Sequence, residues 1–114
     1  NHMSVPTRET VIASLQEAAD RMGLDLEDLQ EMIGEVLEDC SNKAVLLKAA
    51  VSDKKATDVK AIAHDIKGST ANYGLQEISD LALNLEQNHD DPSLEVADKM
   101  ISLLNHISGL NISE

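Results

Sequence analysis

The feature that most constrains this chain is a run of apolar residues spaced three and four apart, repeated almost from end to end. This spacing places side chains on one side of an α-helix, and the alternation typical of a β-strand is hard to find. The pattern predicts five helices, at about 7–22, 25–51, 54–73, 75–88 and 92–108. Each helix has one apolar stripe to bury, and the connections are short. We therefore predict an all-α fold, an antiparallel up-down four-helix bundle with an additional N-terminal helix.

Residues that stop or cap helices stand at the expected boundaries. Gly23 and Gly74 supply stops, because glycine readily adopts the positive φ found past a helix end. The caps predicted at helix starts are Asp25 for the second helix, Ser52 and Asp53 for the third, and Asp91, ahead of Pro92, for the last.

The composition excludes several classes of function. The 114 residues suit one domain, and 42% of them are hydrophobic, enough for one core. A formal charge of -12 repels phosphate backbones, and Tyr73 is the only aromatic residue, so nucleic acid is a poor partner. No apolar run is long enough to span a bilayer, so no membrane association is expected.

The chain also indicates a cellular setting. Cys40 is the single cysteine and falls in the apolar stripe of the second helix, which favours packing in a reducing compartment. No signal peptide is evident, so we expect a cytoplasmic protein. Residues 1–3 (Asn1-His2-Met3) resemble a cloning remnant followed by a start methionine, leaving one helical domain over 4–114.

Positive charge is concentrated in one part of the chain. Six of the nine basic residues fall within 43–67. One interpretation is a solvated surface balanced by ion pairs, such as Lys60 with Asp53 or Asp58. The other is a local positive field for an anion or an acidic partner. Charge alone favours the first.

The segment around His64 breaks local rules in an informative way. Gly68 lies within a predicted helix, where glycine costs roughly 1 kcal/mol relative to alanine. It lies one turn from His64 on the same face, so the imidazole is left uncovered, and Ala61 and Ala71 keep that face flat. Lys67 can place an ammonium beside any group that His64 carries. A neutral ring nitrogen on such a surface can attack phosphorus.

These residues form a motif with regular spacing. It reads Ala63-His64-x-Ile66-Lys67-Gly68, then Gly74, and continues as Leu75-x-x-Ile78-x-x-Leu81-Ala82-x-x-Leu85-Glu86. Over about 59–86 the sequence resembles the histidine phosphotransfer (HPt) domains of two-component phosphorelays.

The resemblance implies a function and a site. His64 would carry the phosphoryl group on Nε2, supported by Lys67 and Gly68. The surrounding surface would dock response-regulator receiver domains and a sensor histidine kinase, and the residues placed there by helical spacing are Lys60, Ala61, Lys67, Gly68 and Ala71. The receiver supplies the aspartate and magnesium, so the chain would be a phosphocarrier, not an enzyme, without a cofactor of its own.

Alternatives remain open. The same bundle would serve as an adaptor that binds a receiver or kinase without carrying phosphate, or the domain was excised from a hybrid or chemotaxis-type kinase. A kinase dimerisation helix fits less well, because Gly68-Ser69 stands where its Thr-Pro would fall. No metal-ligand spacing is present, and His89 and His106 are expected to be surface or capping residues. Self-repulsion at -12 favours a monomer.

Overall fold

The computed structural model describes residues 5–114, and this part of the chain consists of α-helices without a β-strand. The helices are α1 (Arg8–Met22), α2 (Leu26–Ser52), α3 (Ala56–Asn72), α4 (Gln76–Gln87) and α5 (Leu94–Ser108). The predicted all-α fold is confirmed. Residues 1–3, interpreted as a cloning remnant and start methionine, lie outside the described residues.

Helices α2 to α5 form a four-helix bundle, because each packs against two others in the order α2, α3, α4, α5 and back to α2. Helix α1 is the additional N-terminal helix that the sequence predicts, and it packs against α2. The large side chains that are fully buried come from all five helices and include Leu15, Leu29, Ile33, Leu47, Ile66, Ile78, Leu85, Met100 and Leu104. Helix α3 is thus held between α2 and α4, with its outer side free.

Three of the helices end in the same type of turn. Gly23, Lys54 and Gly74 follow α1, α2 and α3 and adopt positive φ angles of 71°, 55° and 73°. In each case the next N–H donates to a carbonyl five residues back: Leu24 to Ala19 at 2.9 Å, Lys55 to Ala50 at 2.9 Å and Leu75 to Thr70 at 3.0 Å. This is the Schellman arrangement, so both predicted glycine stops are confirmed.

Both caps predicted for α3 are wrong. Helix α2 runs through Ser52 and ends at Asp53, whose N–H donates to the Ala49 carbonyl, so neither residue caps α3. The Schellman turn uses the next residues, and Lys55 precedes α3 without a side-chain cap. The predicted Asp25 cap of α2 is confirmed.

The start of α5 lies later than predicted. Its N-cap is Ser93, not Asp91, and Pro92 stands outside the helix. The Ser93 hydroxyl accepts from the Val96 N–H at 3.2 Å and satisfies a free donor of the first turn. The cap therefore lies two residues beyond the predicted one.

Cys40 packs in the core, as predicted. Burial raises the pKa of its thiol to about 11, with a smaller contribution from Asp39. The thiol is therefore protonated at neutral pH, and it acts as a small apolar side chain.

Gly74, in the turn after α3, packs closely against α1. A Cβ atom at this position would lie 2.8 Å from the Ser14 backbone oxygen, which cannot move without shifting α1. Gly23 has nearly the same φ but nothing within 4 Å of the corresponding point.

We expect Gly74→Ala to lower the free energy of unfolding by about 2–4 kcal/mol, the sum of left-handed strain and a backbone clash. Gly23→Ala is the matched control and should cost only about 1 kcal/mol, from strain alone. Urea unfolding followed by circular dichroism measures both. Equal losses would show that contact with α1 does not constrain the turn.

Candidate functional site

His64 stands on the outer side of α3. Its neighbours Ala63 and Ile66 are buried, so the core-facing stripe of the helix turns His64 away from the bundle. The imidazole is 64% exposed. A ring presented in this way is accessible to another protein.

Glu86 of α4 connects His64 to Lys67. Its Oε2 lies 2.7 Å from His64 Nδ1, and its Oε1 accepts from Lys67 Nζ, also at 2.7 Å. The carboxylate is mostly buried, with 16% of the side chain exposed. One side chain on α4 thus fixes the orientation of two side chains on α3.

The charge state of Glu86 determines which imidazole nitrogen carries the proton. The hydrogen bond from Lys67 lowers the pKa of Glu86, with a further contribution from His64, and partial burial opposes them. Glu86 is therefore ionised at neutral pH, and a carboxylate only accepts hydrogen bonds. In the neutral imidazole Nδ1 must donate, so Nε2 keeps its lone pair. No group among residues 5–114 bonds to Nε2.

The other predicted site residues lie on or beside the same face. Lys60, Ala61, Gly68 and Ala71 are exposed. A Cβ atom added at Gly68 would meet nothing within 4 Å, so the surface next to His64 is open. The sequence placed all of these residues on one helix face, and the structure brings them together there.

Lys67 has a partner that the sequence did not reveal. Its ammonium is bound to Glu86, and 30% of its side chain is exposed. Two of the three ammonium hydrogens remain available for other acceptors.

Glu86 is the site residue that sequence reasoning missed. The sequence did contain a signal, because Glu86 lies one turn beyond Ala82 and adjoins Leu85 in the buried stripe of α4. A carboxylate at the margin of a core needs a cationic or hydrogen-bonding partner. The sequence alone did not show that this partner lies on α3.

Two hydrogen bonds of α4 hold its end of the site in place. The Ser79 hydroxyl donates across to the Lys67 carbonyl at 3.3 Å. His89 contacts the Glu86 carbonyl through Nδ1 at 2.8 Å and caps the end of α4. The expectation that His89 is a surface or capping residue is therefore confirmed. His106 is half-buried, and its Nε2 contacts the carbonyl of Pro6 at 2.6 Å, so it ties the segment before α1 to α5 and does not cap a helix.

The site is a surface, not a pocket. Two clefts of about 270 and 280 Å³ lie between α1, α4 and α5, and neither is lined by His64, Lys67 or Glu86. Across residues 5–114 there is no group of three or more His, Cys, Asp or Glu side chains able to hold a metal ion. None of the helices described above is long and apolar enough to cross a membrane.

Comparison with known proteins identifies the family. Residues 7–110 match the Hpt domain family, and this match covers nearly the whole chain. No curated protein and no solved structure gives a significant match. Hpt domains take part in histidine phosphotransfer in phosphorelays, where they interact with receiver domains and kinases. The chain is a member of the Hpt domain family.

Proposed function

We propose that this protein is a phosphocarrier that accepts a phosphoryl group on His64 Nε2 and passes it to or from receiver domains. The observation that carries the proposal is the Glu86 carboxylate bound to His64 Nδ1, which leaves Nε2 unprotonated and facing solvent.

The transfer step follows from this arrangement. The Nε2 lone pair attacks the phosphorus of an aspartyl phosphate on a receiver, and an N–P bond forms. The P–O bond to the aspartate breaks, and its electron pair stays with the aspartate carboxylate. The proton remains on Nδ1, so the ring becomes a phosphorylated imidazolium. Transfer onward is the reverse of this step, with a second aspartate as the attacking group.

Glu86 stabilises the cation that forms in this step. The ring gains positive charge while its Nδ1–H donates to a carboxylate 2.7 Å away. A preorganised carboxylate at the point where charge develops lowers the barrier in both directions. Lys67 keeps one hydrogen on Glu86 and can direct the others to the phosphoryl oxygens.

The flat face accounts for the choice of partner. Ala61, Gly68 and Ala71 present little side chain around His64, so a second domain can bring its aspartate in line with Nε2. We propose that magnesium and the aspartate both belong to the receiver, so that this chain binds no cofactor and has no turnover of its own.

The direct test is transfer from a phosphorylated receiver in the presence of magnesium. We expect acid-labile, base-stable phosphate on the wild type and none on His64→Gln, whose helical content and melting temperature should be unchanged because the ring is exposed. If receivers bind both proteins but no phosphate reaches the wild type, the chain is an adaptor.

Gly68 should matter for docking and not for folding. A longer side chain at position 68 would lean toward the N-terminus of α3 and cover His64. We expect Gly68→Gln to raise the free energy of unfolding by up to about 1 kcal/mol but to slow transfer about tenfold or more.

Gly34 provides the matched control for Gly68. It is also exposed within a helix, with nothing within 4 Å of an added Cβ, and it lies on α2 two residues from Met32, which contacts Tyr73, the residue directly after α3. Two residues turn a helix by about 200°, so Gly34 faces away from α3. Gly34→Gln should give similar stabilisation with unchanged transfer. Equal rates for the two variants would remove Gly68 from the site.

Glu86→Gln tests the role of the carboxylate. The amide keeps the shape but replaces a charge-assisted hydrogen bond worth about 1.5–3 kcal/mol, so the transfer rate at saturating receiver should fall about 10- to 100-fold. Glu77→Gln, a change at an exposed glutamate of the first turn of α4, should leave the rate unchanged. A rate unaffected by Glu86→Gln would show that the carboxylate has no part in transfer.

A further inference from the structure

We propose that Lys54, Lys55 and Lys60, here called the basic edge, form the rim of the docking surface and steer an acidic receiver domain onto His64. This inference rests on the proposed function and adds the electrostatic character of the partner.

The first observation is that these three lysines lack carboxylate partners. Elsewhere in the basic segment the ammonium groups are neutralised: Lys43 by Asp39 at 3.0 Å, Lys48 by Asp98 at 2.7 Å and Lys67 by Glu86 at 2.7 Å.

The basic edge has no such pairs. Its three side chains are exposed, and no carboxylate of residues 5–114 lies within 4 Å of their ammonium groups. The predicted pairing of Lys60 with Asp53 or Asp58 is wrong. The charge at this edge is therefore available to a partner.

The second observation is the backbone at Lys54. Three helices end in the same type of turn. The residue at positive φ is glycine in two of these turns and lysine in the third. A left-handed lysine costs about 1 kcal/mol or more relative to glycine. Natural sequences break such local rules most often at functional sites, so this lysine supports the proposal together with its missing partner and its position.

The third observation is proximity to His64. Lys60 lies one turn before it, and α3 begins at Ala56, eight residues before it, which corresponds to about 12 Å along the axis. A typical interface buries about 800 Å² per partner, equivalent to a disc of about 16 Å radius. A domain centred on His64 therefore covers Lys60 and reaches the turn that carries Lys54 and Lys55.

The chemistry of transfer indicates that the partner's docking surface is negatively charged. A receiver that holds magnesium beside an aspartyl phosphate needs a cluster of carboxylates, since magnesium prefers oxygen ligands. Such a surface is repelled by a chain of charge -12 everywhere except where lysines are unpaired. Charges at the rim of an interface mainly change the association rate and its dependence on salt.

The test compares two charge-matched double variants in transfer from a phosphorylated receiver. Lys55→Glu/Lys60→Glu alters the basic edge. The control, Arg21→Glu/Lys99→Glu, makes the same change of net charge on α1 and α5. Neither of these helices is a principal packing neighbour of α3. At low ionic strength the first variant should lower the second-order rate constant of transfer about tenfold, with the transfer rate at saturating receiver unchanged, and the control should lower that constant by twofold at most. At about 1 M salt the difference should vanish.

Lys54→Gly separates function from folding. It should raise the melting temperature, because glycine suits the turn, while lowering the second-order rate constant of transfer at low salt about two- to threefold. If both double variants lower this rate constant equally, net charge and not the basic edge guides association, and the inference is overturned. Absence of phosphate on the wild type at saturating receiver would instead contradict the proposed function.

Discussion

The contact on which the site depends is the Glu86 carboxylate between His64 and Lys67. It forms because α4 packs against α3 along the buried stripes of both helices, and it links residues 22 apart in sequence. The fold thereby decides which imidazole nitrogen holds the proton. His64 Nε2, the atom proposed to carry the phosphoryl group, lies on an open surface.

Two residues near the surface around His64 lower the local stability of the fold. Gly68 weakens the middle of α3, and Lys54 takes a backbone conformation that suits glycine. Gly74, in contrast, is required by the fold, because α1 lies against it. Nothing in the fold requires the first two residues, and both lie within the docking surface proposed above.

Much of this was predictable from the sequence. Apolar spacing gave five helices within about two residues of their ends, and the face of α3 around His64 followed from helical periodicity. Predictions that required knowledge of neighbours were less successful. The cap of α5 depended on competition between adjacent polar residues, the pairing of Lys60 depended on side-chain geometry, and the Glu86 contact depended on how α4 packs against α3.

The most direct test of the contact between Glu86 and His64 is the tautomer of His64, read from the ¹⁵N shifts of its imidazole at a pH where the ring is neutral. We predict a proton on Nδ1 in the wild type, a mixture of tautomers in Glu86→Gln, and the phosphoryl group on Nε2 after transfer. A wild-type ring protonated on Nε2, or phosphorylated on Nδ1, would contradict the account.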